Sequence, residues 1–113
     1  MSEPNEPQVK DLATFDEYKQ FIAENKKAIV HFHAYWCLHC LGITAKFKGL
    51  CGAFPNIAFG KLNVDINIDA SDDAKVDEVP TFGIYKGGVL DNMRTGSSQA
   101  KLEEKIKELN DSN

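Results

Sequence analysis

The sequence predicts an α/β fold in which a central mixed β-sheet carries helices on both faces, in the order βαβαβαββα. Three observations carry this. Short apolar runs alternate with stretches whose apolar residues recur at helical spacing, beginning with Phe15, Tyr18 and Ile22. The last two strand candidates flank Gly87-Gly88, a hairpin signal, so the sheet is not wholly parallel. The chain has 113 residues, 42% of them hydrophobic and 27% charged, which suits one compact domain and not a disordered, collagenous or coiled-coil chain.

Residues 1–7 read as a flexible tail and 8–113 as a single domain. Gln8 to Asp11 forms a short edge strand. Thr14 opens a helix, with Glu17 completing a capping box. Asp16 and Glu17 in its first turn, and Lys26 and Lys27 after its last, suit the helix dipole. Ala28 to Ala34 is a short apolar run, read as a strand buried on both faces. A second helix runs from Cys40 with Ile43, Phe47, Leu50 and Phe54 on one stripe, until Pro55-Asn56 stops it. Ile57 to Val64 is the next strand, and Asp69 to Val76 a short helix. Thr81–Lys86 and Val89–Thr95 make the hairpin. Ser97 or Ser98 caps a last helix whose inner face holds Leu102, Ile106 and Leu109.

Composition excludes several classes of function. The net charge is −4 and the cationic side chains are scattered, so no nucleic-acid binding is expected. No apolar run reaches the roughly 18 residues of a membrane span. The start, Met1 to Pro7, is polar and acidic and unlike a secretory signal or transit peptide, so a cytoplasmic location is expected. Three cysteines do not make a secreted disulfide framework.

Two of them stand close together in Trp36-Cys37-Leu38-His39-Cys40, between a buried strand and a helix. With Cys37 as the first helical residue, its sulfur lies near unpaired backbone N–H groups and the positive end of the dipole. Both favour the thiolate, which is the nucleophile. A spacing of three puts Cys40 one turn on, on the same face, where a disulfide can close. The bland alternatives are a metal pair and an inert remnant. His31 and His33, at i and i+2 on one strand face, give with Cys37 and Cys40 a nominal two-His, two-Cys set for zinc. Cys51 lies eleven residues beyond Cys40, too far along a helix to bridge, and reads as a small core hydrophobe.

The chain resembles the thioredoxin family along nearly its whole length. The resemblance rests on Phe32, Ala34, Trp36, Cys37 and Cys40, on Lys61-Leu62-Asn63-Val64-Asp65, on Val79-Pro80-Thr81-Phe82, and on Lys86-Gly87-Gly88 and Gly96. It implies a thioredoxin fold and a protein-disulfide reductase with no cofactor beyond the Cys37–Cys40 pair. Cys37 would attack and Cys40 resolve. Pro80 would be cis opposite the pair. Trp36, Leu38, Val79, Pro80 and Gly96 would form an apolar docking patch for disulfide-containing proteins. The implied electron donor is an NADPH-dependent flavoprotein reductase or another thiol donor, and a monomer is expected.

The departures from the family pattern are equally specific. Leu38-His39 replaces the usual Gly-Pro, His31 stands where a buried Asp is usual, His33 replaces an aromatic residue, and Ala45 replaces a kinking proline. His39 as an imidazolium beside Cys37 would stabilise the thiolate and make the couple more oxidising, so an oxidase- or isomerase-like variant is the runner-up. A binding module carrying zinc or an Fe–S cluster is the reading from another class. His31 would take over the missing carboxylate's role as base toward Cys40, in a weaker or differently tuned form.

Overall fold

A computed structural model describes residues 8–112; the tail read at 1–7 and the final Asn113 lie outside the described residues. The chain runs β1 (Val9–Asp11), α1 (Phe15–Glu24), β2 (Lys27–His33), α2 (Leu38–Ala53), β3 (Ala58–Asn63), α3 (Ile68–Asp73), β4 (Thr81–Lys86), β5 (Val89–Thr95) and α4 (Gln99–Asp111). The five strands form one sheet in the order β1-β3-β2-β4-β5. β1, β3 and β2 are parallel, and β4 and β5 return antiparallel as a hairpin. Gly87 and Gly88 turn that hairpin with φ of 60° and 84°, the positive values its tight turn needs.

The sheet separates two apolar layers. Strand alternation sends Ile29 to one face and Ala28, Val30 and Phe32 to the other. On the first face Ile43, Phe47 and Leu50 of α2 and Leu102, Ile106 and Leu109 of α4 pack on Ile29, Phe59 and Phe82. On the second, Tyr18 and Phe21 of α1 and Ala70 of α3 pack on Val30, Phe32, Leu62 and Tyr85. Of the core residues assigned from periodicity, Tyr18, Ile43, Phe47, Leu50, Leu102, Ile106 and Leu109 are buried, while Phe15, Ile22 and Phe54 are only partly buried against the core. Cys51 is a free, buried member of the first layer.

Several boundaries differ from the sequence reading by one or more residues. The second helix opens before Cys40, at Leu38, because the Cys37 sulfur itself caps it. The short third helix stops at Asp73 and does not reach Val76. Lys75 adopts φ 59°, and the N–H groups of Lys75 and Val76 turn back to the carbonyls of Asp72 and Ser71. The strands read as 28–34 and 57–64 run Lys27–His33 and Ala58–Asn63, as pairing with their neighbours fixes their ends.

Candidate active site

Cys37 is the N-cap of α2 and not its first helical residue. Its φ and ψ are extended, and its sulfur accepts the Cys40 N–H at 3.1 Å. The sulfur therefore sits among the unpaired amides that open the helix, at the positive end of its dipole. Cys37 and Cys40 form a disulfide with their Cα atoms 5.3 Å apart. Both are buried, packed with Ala34 against Val64 and Val79.

The neighbouring chain segments converge on this bond from three sides. Trp36, on the loop from β2, is 67% exposed, and its Nε1–H donates to Asp65 Oδ2 at 2.8 Å. Leu38, 79% exposed, projects from the first turn of α2 beside an exposed His39. Opposite, the Val79–Pro80 bond is cis, with Val79 half-buried against the cysteine cluster. The Gly96 N–H donates to the Pro80 carbonyl at 2.9 Å. Gly96 has φ 113°, a conformation only glycine adopts readily. A cleft of about 120 Å³ lies between Trp36, Val64, Val76, Asp77, Glu78 and Val79. A shallower hollow of about 340 Å³ is lined by His39, Val79, Pro80 and Gly96, with Glu78, Thr95 and Ser97. The structure thus gathers Trp36, His39, Val79, Pro80 and Gly96 in two adjoining depressions, with Leu38 standing clear of both. Another cavity, about 380 Å³ between α1, Cys51 and the start of β3, holds none of the residues expected at the catalytic or docking site.

His31 lies beneath this surface, on the α2 side of the sheet. It is fully buried, its ring stacked on Phe82 at 4.6 Å and edge-on to Phe47 at 5.5 Å. Its Nε2 has no hydrogen-bond partner. Burial, then His33 and Lys61, pushes its pKa down to about 3, so the ring is neutral at physiological pH and a far weaker base than an ordinary imidazole. His33, 5.4 Å away ring to ring, is shifted down by burial and Lys61, with Asp11 opposing. Among the described residues no group of three or more His, Cys, Asp or Glu side chains is arranged to hold a metal ion, so the nominal zinc set does not converge.

Two features escaped the sequence reading. The Trp36–Asp65 bond links positions 29 apart, and no local pattern announces it. The Cys37 cap needed the backbone angles, although a sulfur three residues before a helical N–H is a capping spacing.

Comparison with known proteins agrees with the resemblance. The thioredoxin family model matches residues 9–108. Thioredoxin-1 of Schizosaccharomyces pombe is 32% identical over 99 residues, covering 88% of this chain and 96% of that protein. The thioredoxin of Gallus gallus is 36% identical over 101 residues, covering 89% and 95%. The oxidised crystal structure of mitochondrial thioredoxin 3 from Saccharomyces cerevisiae superposes with a TM-score of 0.86 at 31% identity, covering 89% of this chain and 95% of that one. No helix among the described residues is long and apolar enough to cross a membrane.

Proposed function

The chain belongs to the thioredoxin family and is a thiol–disulfide oxidoreductase that reduces protein disulfides; on that premise we propose that Cys37 is the attacking sulfur and Cys40 the resolving one. One observation carries the assignment: the Cys37 sulfur caps α2 and accepts the Cys40 N–H. A thiolate there is stabilised by an amide hydrogen bond and by the helix dipole, and Cys40, inside the helix, has no such position.

The reaction then runs as two exchanges. The Cys37 thiolate attacks one substrate sulfur; the Cys37–substrate bond forms, the substrate disulfide breaks, and its other sulfur leaves as a thiolate that takes a proton from water. The Cys40 thiol next loses its proton and attacks the Cys37 sulfur. The Cys37–Cys40 bond closes and the second substrate thiolate departs. Two electrons pass to the substrate and the protein ends in the disulfide form. The sulfurs themselves hold the electrons, so the cycle requires no resident cofactor. An external dithiol donor, the NADPH-dependent flavoprotein reductase of the family or another thiol, resets the pair.

The remaining roles follow by position. Trp36, Leu38, Val79, Pro80 and Gly96 dock the substrate segment, which is supported by their convergence around the disulfide. His39, exposed beside the pair, favours the Cys37 thiolate when protonated. His31 offers a free Nε2 as a weak acceptor for the Cys40 proton. We read the chain as a single domain over residues 8–113 that acts as a monomer in the cytoplasm. Substituting the resolving thiol tests the assignment. Cys40→Ser is expected to accumulate a mixed disulfide with an oxidised protein substrate, released by dithiothreitol, while Cys37→Ser forms none. The reverse pattern would exchange the two roles and overturn the proposal.

A further inference from the structure

We infer that the docking surface continues from the disulfide onto Tyr35, Leu41, Ile66 and Ile68, and that its acidic rim selects substrate proteins whose disulfide is flanked by apolar and cationic side chains. The inference deepens the reductase reading above and rests on it. Seven large hydrophobic side chains are exposed among the described residues, and six of them, all but Val89, lie on the β2–α2 loop, the first turn of α2 or the segment following β3. Tyr35 is 82% exposed, Leu41 69%, Ile66 61% and Ile68 56%. Single exposed apolar residues are ordinary, whereas a contiguous set beside a reactive bond marks a contact surface.

Continuity is built into the backbone. The Trp36–Asp65 hydrogen bond straps the two loops together, and the Val64 N–H donates to the His33 carbonyl at 2.9 Å. Leu38 and Leu41 stand one turn apart on the same face of α2. Ile66 is held by a turn and not by burial: Asn63 Oδ1 accepts the N–H groups of Asp65 and Ile66 at 2.8 and 3.2 Å. An isoleucine fixed in this way and left in water has its conformational cost of docking already reduced.

Charge identifies the occupant. Exposed Asp65 and Asp69 flank the two isoleucines, and exposed Asp77 and Glu78 line the cleft beside Trp36. None of these four carboxylates forms an ion pair among the described residues. The cationic side chains near this surface, besides a protonated His39, are Lys75, next to Val76 of the cleft, and Arg94, whose guanidinium lies beside Gly96 at the far end of the hollow from the cleft. A second copy of this chain, at net charge −4, would bring the same acidic rim against itself. A segment bearing Lys or Arg next to an apolar residue meets both features and would be steered to the disulfide.

The test compares the fully reduced protein on three disulfides: a peptide with Leu and Lys beside its cystine, the same peptide with Ser and Glu there, and hydroxyethyl disulfide, which is small and neutral. Each peptide rate is read relative to the hydroxyethyl disulfide rate. The Leu/Lys peptide is expected to lead the Ser/Glu peptide by about tenfold or more at low salt. That lead should shrink several-fold at about 0.5 M salt, where charges are screened. Leu41→Ser with Ile66→Ser should bring the lead to within about twofold, and Asp69→Asn with Asp77→Asn should remove its salt-sensitive part. Equal relative rates for the two peptides, or a lead that both double variants preserve, would overturn the inference while leaving the reductase intact. Self-association abolished by Leu41→Ser with Ile66→Ser would assign the surface to a second copy and overturn it too. Failure to reduce hydroxyethyl disulfide, which needs no docking, would instead sink the reductase reading beneath it.

Discussion

His31 couples the interior of this protein to pH. In the unfolded chain its ring takes up a proton near the ordinary value of about 6.5, but in the fold only near about 3. Between these values the unfolded state binds more protons, so acid favours unfolding. The stability associated with the neutral ring is complete above about pH 6.5 and is lost as pH falls toward 3, at up to about 1.4 kcal/mol per unit. From pH 6.5 to 4.5 that amounts to about 2–3 kcal/mol. His31→Phe keeps an aromatic ring between Phe82 and Phe47 and removes the proton. Urea midpoints across this range are expected to fall less steeply in the variant by that amount; parallel profiles would show that His31 is not the sensor. The sequence showed that an imidazole stands where a carboxylate is usual. It did not show the ring stacked on Phe82, because a partner on another strand depends on register and not on local spacing.

Individual elements are held by features of unequal visibility. Thr14 was legible as a cap from its spacing to Glu17, and its hydroxyl accepts the Glu17 N–H at 3.1 Å. Thr14→Ala should lower stability by about 1 kcal/mol in a denaturant titration, and an unchanged midpoint would deny the cap. Gly83 shows the opposite case. Nothing local marked it, yet a Cβ there would meet Tyr85 Cε1 at 3.0 Å and Phe32 Cε1 at 3.2 Å. Tyr85 has little room to yield, since its hydroxyl is paired with that of Tyr18 at 2.7 Å in the buried second layer. Gly83→Ala is therefore expected to cost about 1–3 kcal/mol by overpacking, checked the same way. The end of α3 was misjudged because alanines and acids continue to Val76, while the turn is made by Lys75 at φ 59°, where glycine would have been the usual signal.

For the molecule as a whole, sheet order sets which parts open first. β2 lies at the centre, paired to both β3 and β4 and buried along its middle, whereas β5 is an edge strand and mostly accessible. Amide exchange should be slowest in β2 and much faster in β5; equal protection would contradict this hierarchy. The order of elements was readable from alternation and the Gly87-Gly88 turn, and so were the cysteine pair and most of the surface around it. That the sulfur lies near the free amides opening α2 was also readable, but not that Cys37 is the cap itself, since one residue of helix boundary separates a capping atom from a helical one. The whole sheet-and-helix frame serves to hold that sulfur at the head of α2. The most direct measurement is the pH dependence of iodoacetamide alkylation in the reduced protein, with the modified cysteine located by mass. Cys37 should react first, with a half-maximal rate at least about one pH unit below the 8.5 of a free thiol. A midpoint at or above that of free cysteine, or Cys40 reacting ahead of Cys37, would contradict the account.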